Sequence, residues 1–342
     1  MKNVMLLLCL LTLSVSTYAQ TNASKMALIK KTVVGGEGGW DYLSVSPEDR
    51  HLYLSHGSQV EVLNVDTHEK IGVIPETKGV HGIVALPDLG KGFITSGGTN
   101  SVIVFDTKTL AKLAVIPTGE GPDALLYDKF SKRIFVFNHK GGSMTAIDVA
   151  TLKAIETVKL GGSAAEAGVT DEKGTIFVNL EDLSEIVTFD AKTLAVKNHW
   201  KVTPGEEPTG LAIDLKTNLL FTVCGNQKMI VLDSKTGKFI AEAPIGSRCD
   251  GVIFDPISKT AFSSNGEGTI TAVHEDSPTK FSVKETIKTD VGARTITIDP
   301  KTQHIFTMTA QYGETPPKTD ANPSPRPKIV PNTFSVLEFG VK

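Results

Sequence analysis

The stretch FITSGGTNSVIVFDTKTLAKLAVIPTGEGPDAL, from Phe93 to Leu125, decides the fold. Phe93 to Ser96 is a short β-branched and aromatic run, Gly97 to Asn100 supplies turn residues, and Ser101 to Phe105 is a second run closed by Asp106. Thr107-Lys108-Thr109-Leu110 makes another turn, and Lys112 to Pro117 a third strand. Short apolar runs between Gly, Asn and Asp turns, without the three-and-four spacing of a helix, read as antiparallel strands joined by hairpins.

The pattern recurs on both sides of this stretch. Leu52-Tyr53-Leu54, Ile134-Phe135-Val136, Ile176-Phe177-Val178, Leu220-Phe221-Thr222, Ala261-Phe262-Ser263 and Ile305-Phe306-Thr307 repeat the strand of Phe93 at spacings of about 41 to 44 residues. The second run again ends in an acid at Asp66, Asp148, Asp190 and Asp233, whereas the sixth unit has His274 there and is degenerate. Each unit opens with one more short strand, such as Gly82 to Ala85 or Gly210 to Ile213. Four antiparallel strands per unit describe a propeller blade, and units counted from Trp40, His81, Asp123, Glu166, Thr209, Asp250 and Arg294 number seven. The chain is therefore expected to be all-β: a seven-bladed β-propeller with blades starting near 40, 81, 122, 165, 208, 249 and 293. The last unit lacks a fourth strand after Phe334 to Phe339. Met26 to Val33 is expected to supply it as an N-terminal latch, hiding a sheet edge.

The 342 residues carry 35 Lys+Arg against 38 Asp+Glu, a formal charge of −3, which argues against a dedicated nucleic-acid binder. Lys2 followed by the apolar run Val4 to Val15 and small residues at Thr17 and Ala19 reads as a cleaved signal peptide over 1–19. Export to the periplasm or outside the cell is expected, with 20–342 one propeller domain and no transmembrane segment after cleavage. Export makes a Cys224–Cys249 bridge feasible, with two buried free thiols as the even alternative.

The Phe93–Leu125 unit resembles the YVTN β-propeller repeat, and the tandem array is similar to the YncE-like family of exported bacterial propellers. The resemblance implies the fold strongly and activity weakly, since the matching residues are strand and turn positions. It also implies an association with single-stranded DNA, which the acidic charge opposes.

In a propeller, the loops entering the innermost strands and those between second and third strands open on one face, around the central channel. Two rings of candidate ligand-binding residues follow. The first is Asp41, His81, Asp123, Glu166, Thr209, Asp250 and Arg294; the second is His56, Asn138, His139, Glu181, Asn226, Asn265 and Gln311. Asp41, His81, Asp123, Glu166 and Asp250 are the candidate metal ligands for a divalent cation, because oxygen donors suit Ca²⁺ and converging His and carboxylate suit Zn²⁺. A water-filled channel with merely solvating walls is the alternative, and Arg294 fits either a structural bridge to Asp250 or Asp41 or an anion receptor. Trp40 and Tyr42 fit stacking on a ligand or ordinary packing, while His51, His68 and His304 read as solvated.

Nucleophile-elbow, zincin, Walker, EF-hand and haem-attachment motifs are missing, so no catalytic residue is assigned. Gly35 to Gly39 has no following helix and reads as a flexible joint. The proline-rich insertion 311–332 is expected to cover the channel face, with Tyr312 or Arg326 reaching a ligand; a solvated outward flap or a docking strip for a partner protein is the alternative. The functional expectation is an exported binding module that captures a small polar ligand, a cation or a partner protein. The alternative is a metal-dependent, lactonase-like hydrolase using the acidic ring.

Overall fold

The computed structural model describes residues 25–319 and 323–341, so the signal-peptide reading of 1–19 lies outside the described residues. Seven sheets, each of four antiparallel strands, form the propeller. Their innermost strands are Leu43–Ser46, Val80–Leu86, Pro122–Asp128, Ala165–Thr170, Pro208–Asp214, Cys249–Asp255 and Ile296–Ile298. In the seventh sheet Met26–Val33 pairs antiparallel with Ser335–Val341, from Met26 opposite Val341 to Val33 opposite Ser335, and the ring is latched by its own N-terminal strand. Among the described residues the helical elements are two single 3₁₀ turns, Pro87–Leu89 and Glu181–Leu183.

The core lies in the seams between blades. Phe93, Phe135, Phe177, Phe221 and Phe306, one per repeat, are fully buried there, as the alternation of the second strands requires. Each seam also takes a plug from the turn between third and fourth strands. Leu110, Leu152 and Leu194 occupy this position with φ of 61°, 55° and 64°, and each packs against the preceding blade. A β-turn that ends on a left-handed residue aims its side chain back into the seam. In the first blade the plug is His68, at φ 60°, whose backbone N–H donates to Asn64 O just as that of Leu110 donates to Asp106 O. His68 is thus buried and not solvated: its Nδ1 lies 2.8 Å from Thr32 Oγ1 on the latch and its Nε2 lies 3.2 Å from Glu338. His304 and His51 are half-buried as well, against Glu338 at 2.7 Å and Asp49 at 3.3 Å. In the fifth blade the plug position is Gly237.

Cys224 and Cys249 are buried free thiols, and the Cys249 Sγ–H donates to Cys224 O at 3.2 Å. Where His274 replaces the turn acid, the sixth blade runs on into a longer hairpin, Thr269–Ser277 with Lys280–Lys288. Within Gly35 to Gly39 the chain is closely packed at Gly36 and Gly38. A Cβ on Gly36 would stand 2.8 Å from the His56 ring, and one on Gly38 2.8 Å from the backbone of Gly57.

Candidate ligand and metal site at the channel mouth

The first ring is aimed by β-bulges. Pairing of the innermost strands with the second strands slips between Val80 and Ile83, Pro122 and Leu125, Ala165 and Gly168, Pro208 and Leu211, and Cys249 and Gly251. His81, Asp123, Glu166, Thr209 and Asp250 sit inside those slips, so the extra residue turns each side chain out of the pleat toward the axis. Second-strand side chains prop the backbone of the ring residues. The Thr95 hydroxyl donates to Asp123 O at 2.5 Å, Asn179 Nδ2 to Thr209 O at 2.9 Å, and Ser264 Oγ to Arg294 O at 2.5 Å. These positioning residues were not singled out from the sequence; their signal is one Ser, Thr or Asn inside an otherwise apolar strand.

Asp41, His81 and Asp123 converge. His81 Nδ1 lies 2.5 Å from Asp41 Oδ2 and 3.7 Å from Asp123 Oδ1. Donors around one tetrahedral ion with bonds near 2.1 Å stand roughly 3.4 Å apart, so these separations bracket what a shared Zn²⁺ needs. A second triad sits beside the first: His139 Nδ1 lies 2.7 Å from Glu166 Oε1, with Glu181 completing a set whose ligand atoms all fall within 4.8 Å of one another. Arg294 takes its bridging role. Its guanidinium bonds Asp250, reaches Trp40 O at 3.0 Å and stands 3.3 Å from Asp41, tying the sixth, seventh and first blades together.

Four of the second-ring positions need correction. His56, Asn138 and Asn265 do not line the mouth. His56 is stacked on Phe334 at a centroid distance of 4.1 Å with 1% of its side chain exposed; Asn138 and Asn265 are fully buried, donating to Ser143 and Thr145 and to Thr269 and Thr271. The reason is the period of two: the residue that ends the second strand points into the blade, and the next one points to the mouth. That next position holds His139, Glu181 and Gln311, but glycine at Gly57, Gly97, Gly225 and Gly266. A Cβ at Gly97 would stand 3.0 Å from His81 Nε2, so glycine makes room for the ring there. Asn226 caps a turn, donating to Pro204 O, and the exposed Gln311 donates its N–H to Thr333 Oγ1.

Charge crowding sets the proton affinities. Burial, then Asp41, raises Asp123 to about 8 against the pull of His81. Burial likewise brings Asp250 to about 7 although Arg294 opposes it. Glu166 holds the His139 proton up to about 9. For His81 burial works against the charged form, yet the Asp41 hydrogen bond and the charge of Asp123 leave it raised. Beneath the mouth a cavity of about 200 Å³ is walled by Tyr42 and by the innermost strands. Tyr42 is held well above the ordinary phenol range by burial and then by Asp123. Trp40 packs between Tyr312 and Phe334 and donates to Gly292 O, the packing reading of that residue. The base of the 311–332 insertion is a paired arm, Tyr312 opposite Ile329, beside Trp40.

No family model and no curated protein matches this sequence. Solved structures do match. A chain of the "Crystal Structure of Mitotic Checkpoint Complex" superposes with a TM-score of 0.73 at 16% identity, covering 89% of this chain and 95% of that one. The chain is a seven-bladed β-propeller. At that identity the likeness speaks to fold alone, and one fold hosts many unrelated functions. Among the described residues no helix is long and apolar enough to cross a membrane.

Proposed function

We propose that this propeller is an exported binding module of the YncE-like, YVTN-repeat kind whose channel mouth holds a divalent cation of the zinc or manganese class. Through that cation, or through the free carboxylates, the mouth takes a small polar ligand or a polar group of a partner protein. The observation that carries the reading is the pair of adjacent His-carboxylate triads, Asp41–His81–Asp123 and His139–Glu166–Glu181. Imidazole with carboxylate donors suits zinc and manganese better than calcium, which favours oxygen alone. A cation there also offsets the repulsion that raises Asp123. The N-terminal residues 1–19 support export, and the repeat motif supports the family.

Isothermal titration of chelator-treated protein with Zn²⁺, Mn²⁺ and Ca²⁺ tests this. Saturable binding that is weakened at least about tenfold by Asp123→Asn or by Glu166→Gln is expected, since each removes a charged donor. Undetectable binding of all three ions refutes it and leaves a solvated channel. The hydrolase reading is favoured by one observation, that Asp123, within the first triad, and Asp250, outside both, hold protons near neutrality, as general acids do. Turnover of a lactone or ester by the metal-loaded protein, lost in Asp123→Asn, would establish it. Carboxylates facing the axis repel a phosphate backbone, so no salt-sensitive shift with single-stranded oligonucleotides is expected.

A further inference from the structure

Away from the mouth, on the face carrying the turns between first and second strands, the seam between the fourth and fifth blades is open. In three other blades this position is filled by a leucine plug, Leu110, Leu152 and Leu194, each reaching the blade before it, and in the first blade by His68. At Gly237 the plug is missing. Trp200, from the outer strand Val196–Lys201 of the fourth blade, lies over that glycine, where a Cβ would stand 2.2 Å from the indole. One indole replaces one leucine only in part, and a cavity of about 390 Å³ remains.

The lining of this cavity is of two kinds. Trp200, Ile213 and Leu215 give an aromatic and aliphatic wall; Lys173, Lys197 and Lys235 stand at its rim. Lys197 is paired with Asp190 at 2.9 Å, whereas Lys173 and Lys235 make no ion pair among the described residues. The acid in the lining, Asp171, is engaged by the backbone N–H groups of Lys173 and Thr175, at 2.8 Å each. Two ammonium groups in no ion pair among the described residues, and an apolar wall in the same concavity, match a ligand that is anionic at one end and flat and apolar at the other.

We propose that this seam pocket binds a small aromatic anion, a carboxylate or phosphate ester, with its charge toward Lys173 and Lys235 and its ring against Trp200, Ile213 and Leu215. Two tryptophans, Trp40 and Trp200, account for the indole fluorescence of the chain, so Trp200 is a built-in reporter. The probes are 4-hydroxybenzoate and adenosine 5′-monophosphate, with adenosine and inorganic phosphate as controls lacking one end each. Saturable quenching by at least one probe is expected, lost in Trp200→Phe. The double variant Lys173→Ala/Lys235→Ala should bind that probe at least about fivefold more weakly at an unchanged melting temperature, since one exposed charge contact is worth up to about 1 kcal/mol. Gly237→Leu, which introduces the leucine plug of three other blades, should abolish binding. The idea fails if neither probe saturates below about 10 mM, the weak end of small-ligand binding. It fails equally if the control lacking the anion binds as tightly as the probe, or if the lysine double variant binds like wild type.

Discussion

Replacing Asp123 by Asn should make the metal-free protein more stable, and more so as pH rises. Asp123 is mostly buried, with 18% of its side chain exposed, and shares the mouth with Asp41, Glu166 and Asp250. Its proton affinity rises from the ordinary 3.8 to about 8, chiefly through burial and then through Asp41. Between those two values the folded chain holds a proton that the unfolded chain has released, so stability falls as pH rises through this window and levels off above it. At about 1.4 kcal/mol per pH unit the ceiling of that loss is roughly 6 kcal/mol. An amide keeps part of the cost of burying a polar group, and the other carboxylates still repel one another, so we expect about half, roughly 3 kcal/mol. For a chain of this size that is a rise of roughly 5 °C in melting temperature at pH 9. The difference from wild type should shrink as pH is lowered toward 4. Thermal melts of chelator-treated wild type and Asp123→Asn at pH 5, 7 and 9 measure it directly. A variant no more stable than wild type at pH 9 would refute the crowding argument, and with it the electrostatic case for a cation.

Three further predictions rest on other parts of the ring. Burial holds the His68 imidazole below its ordinary value against the pull of Glu338, with Lys30 acting in the same direction as burial. The unfolded chain therefore takes up this proton first, and the stability that neutral His68 lends is lost as pH falls below about 6.5. His68→Leu, which copies the plug of three other blades, should flatten the acid side of the melting profile between pH 7 and 5; an unchanged acid slope contradicts it. Deleting Met26–Val33 removes the partner of Ser335–Val341 and exposes a strand edge, so self-association in sedimentation and a lower melting temperature are expected, and a monomer with a wild-type melt would show the latch to be dispensable. Burial pushes the thiols of Cys224 and Cys249 up to about 12, so they should resist a thiol reagent at pH 8 in the native protein and both react after unfolding without reductant; fewer than two reacting would mean a bridge.

The sequence was most legible where repetition averages over local accidents. Seven copies of a strand around Phe93 fix blade number, strand order and the place of the latch, because a four-stranded antiparallel unit has few ways to close. The first ring was legible for the same reason: Asp41, His81, Asp123, Glu166, Asp250 and Arg294 occupy equivalent positions, and the fold brings them to one mouth. What sequence spacing does not reveal is a single-residue choice of face. At the ends of the second strands, Asn138 and His139 are neighbours of similar polarity, yet Asn138 is fully buried inside its blade and His139 faces the mouth. A one-residue step inverts the pleat, so His56, Asn138 and Asn265 exchange a ligand role for that of a buried support. His68 reads from the sequence as solvated because the register of its turn is shifted: the backbone bond that marks the plug runs to Asn64 and not to the acid Asp66.

The departures from the repeat are where this propeller stops being symmetric, and they fall in a pattern. Mouth-facing glycines at Gly57, Gly97, Gly225 and Gly266 leave four blades bare at the second ring, while His139 and Glu181 concentrate donors on the third and fourth. Across the axis Arg294 consumes the charge of Asp250 and part of that of Asp41, closing the sixth and seventh blades to a cation. A ligand entering the channel therefore meets a neutralised half and an acidic half. The free carboxylate pull lies over the first to fourth blades, toward His81 and His139. The same reasoning at the opposite face separates one seam from the rest: leucine at three plugs, a titratable histidine at the ring closure, and glycine at the fourth-to-fifth seam. A repeat protein keeps its fold by what its units share, and the chemistry available to it is found by asking which unit lacks the shared residue and what has taken its place.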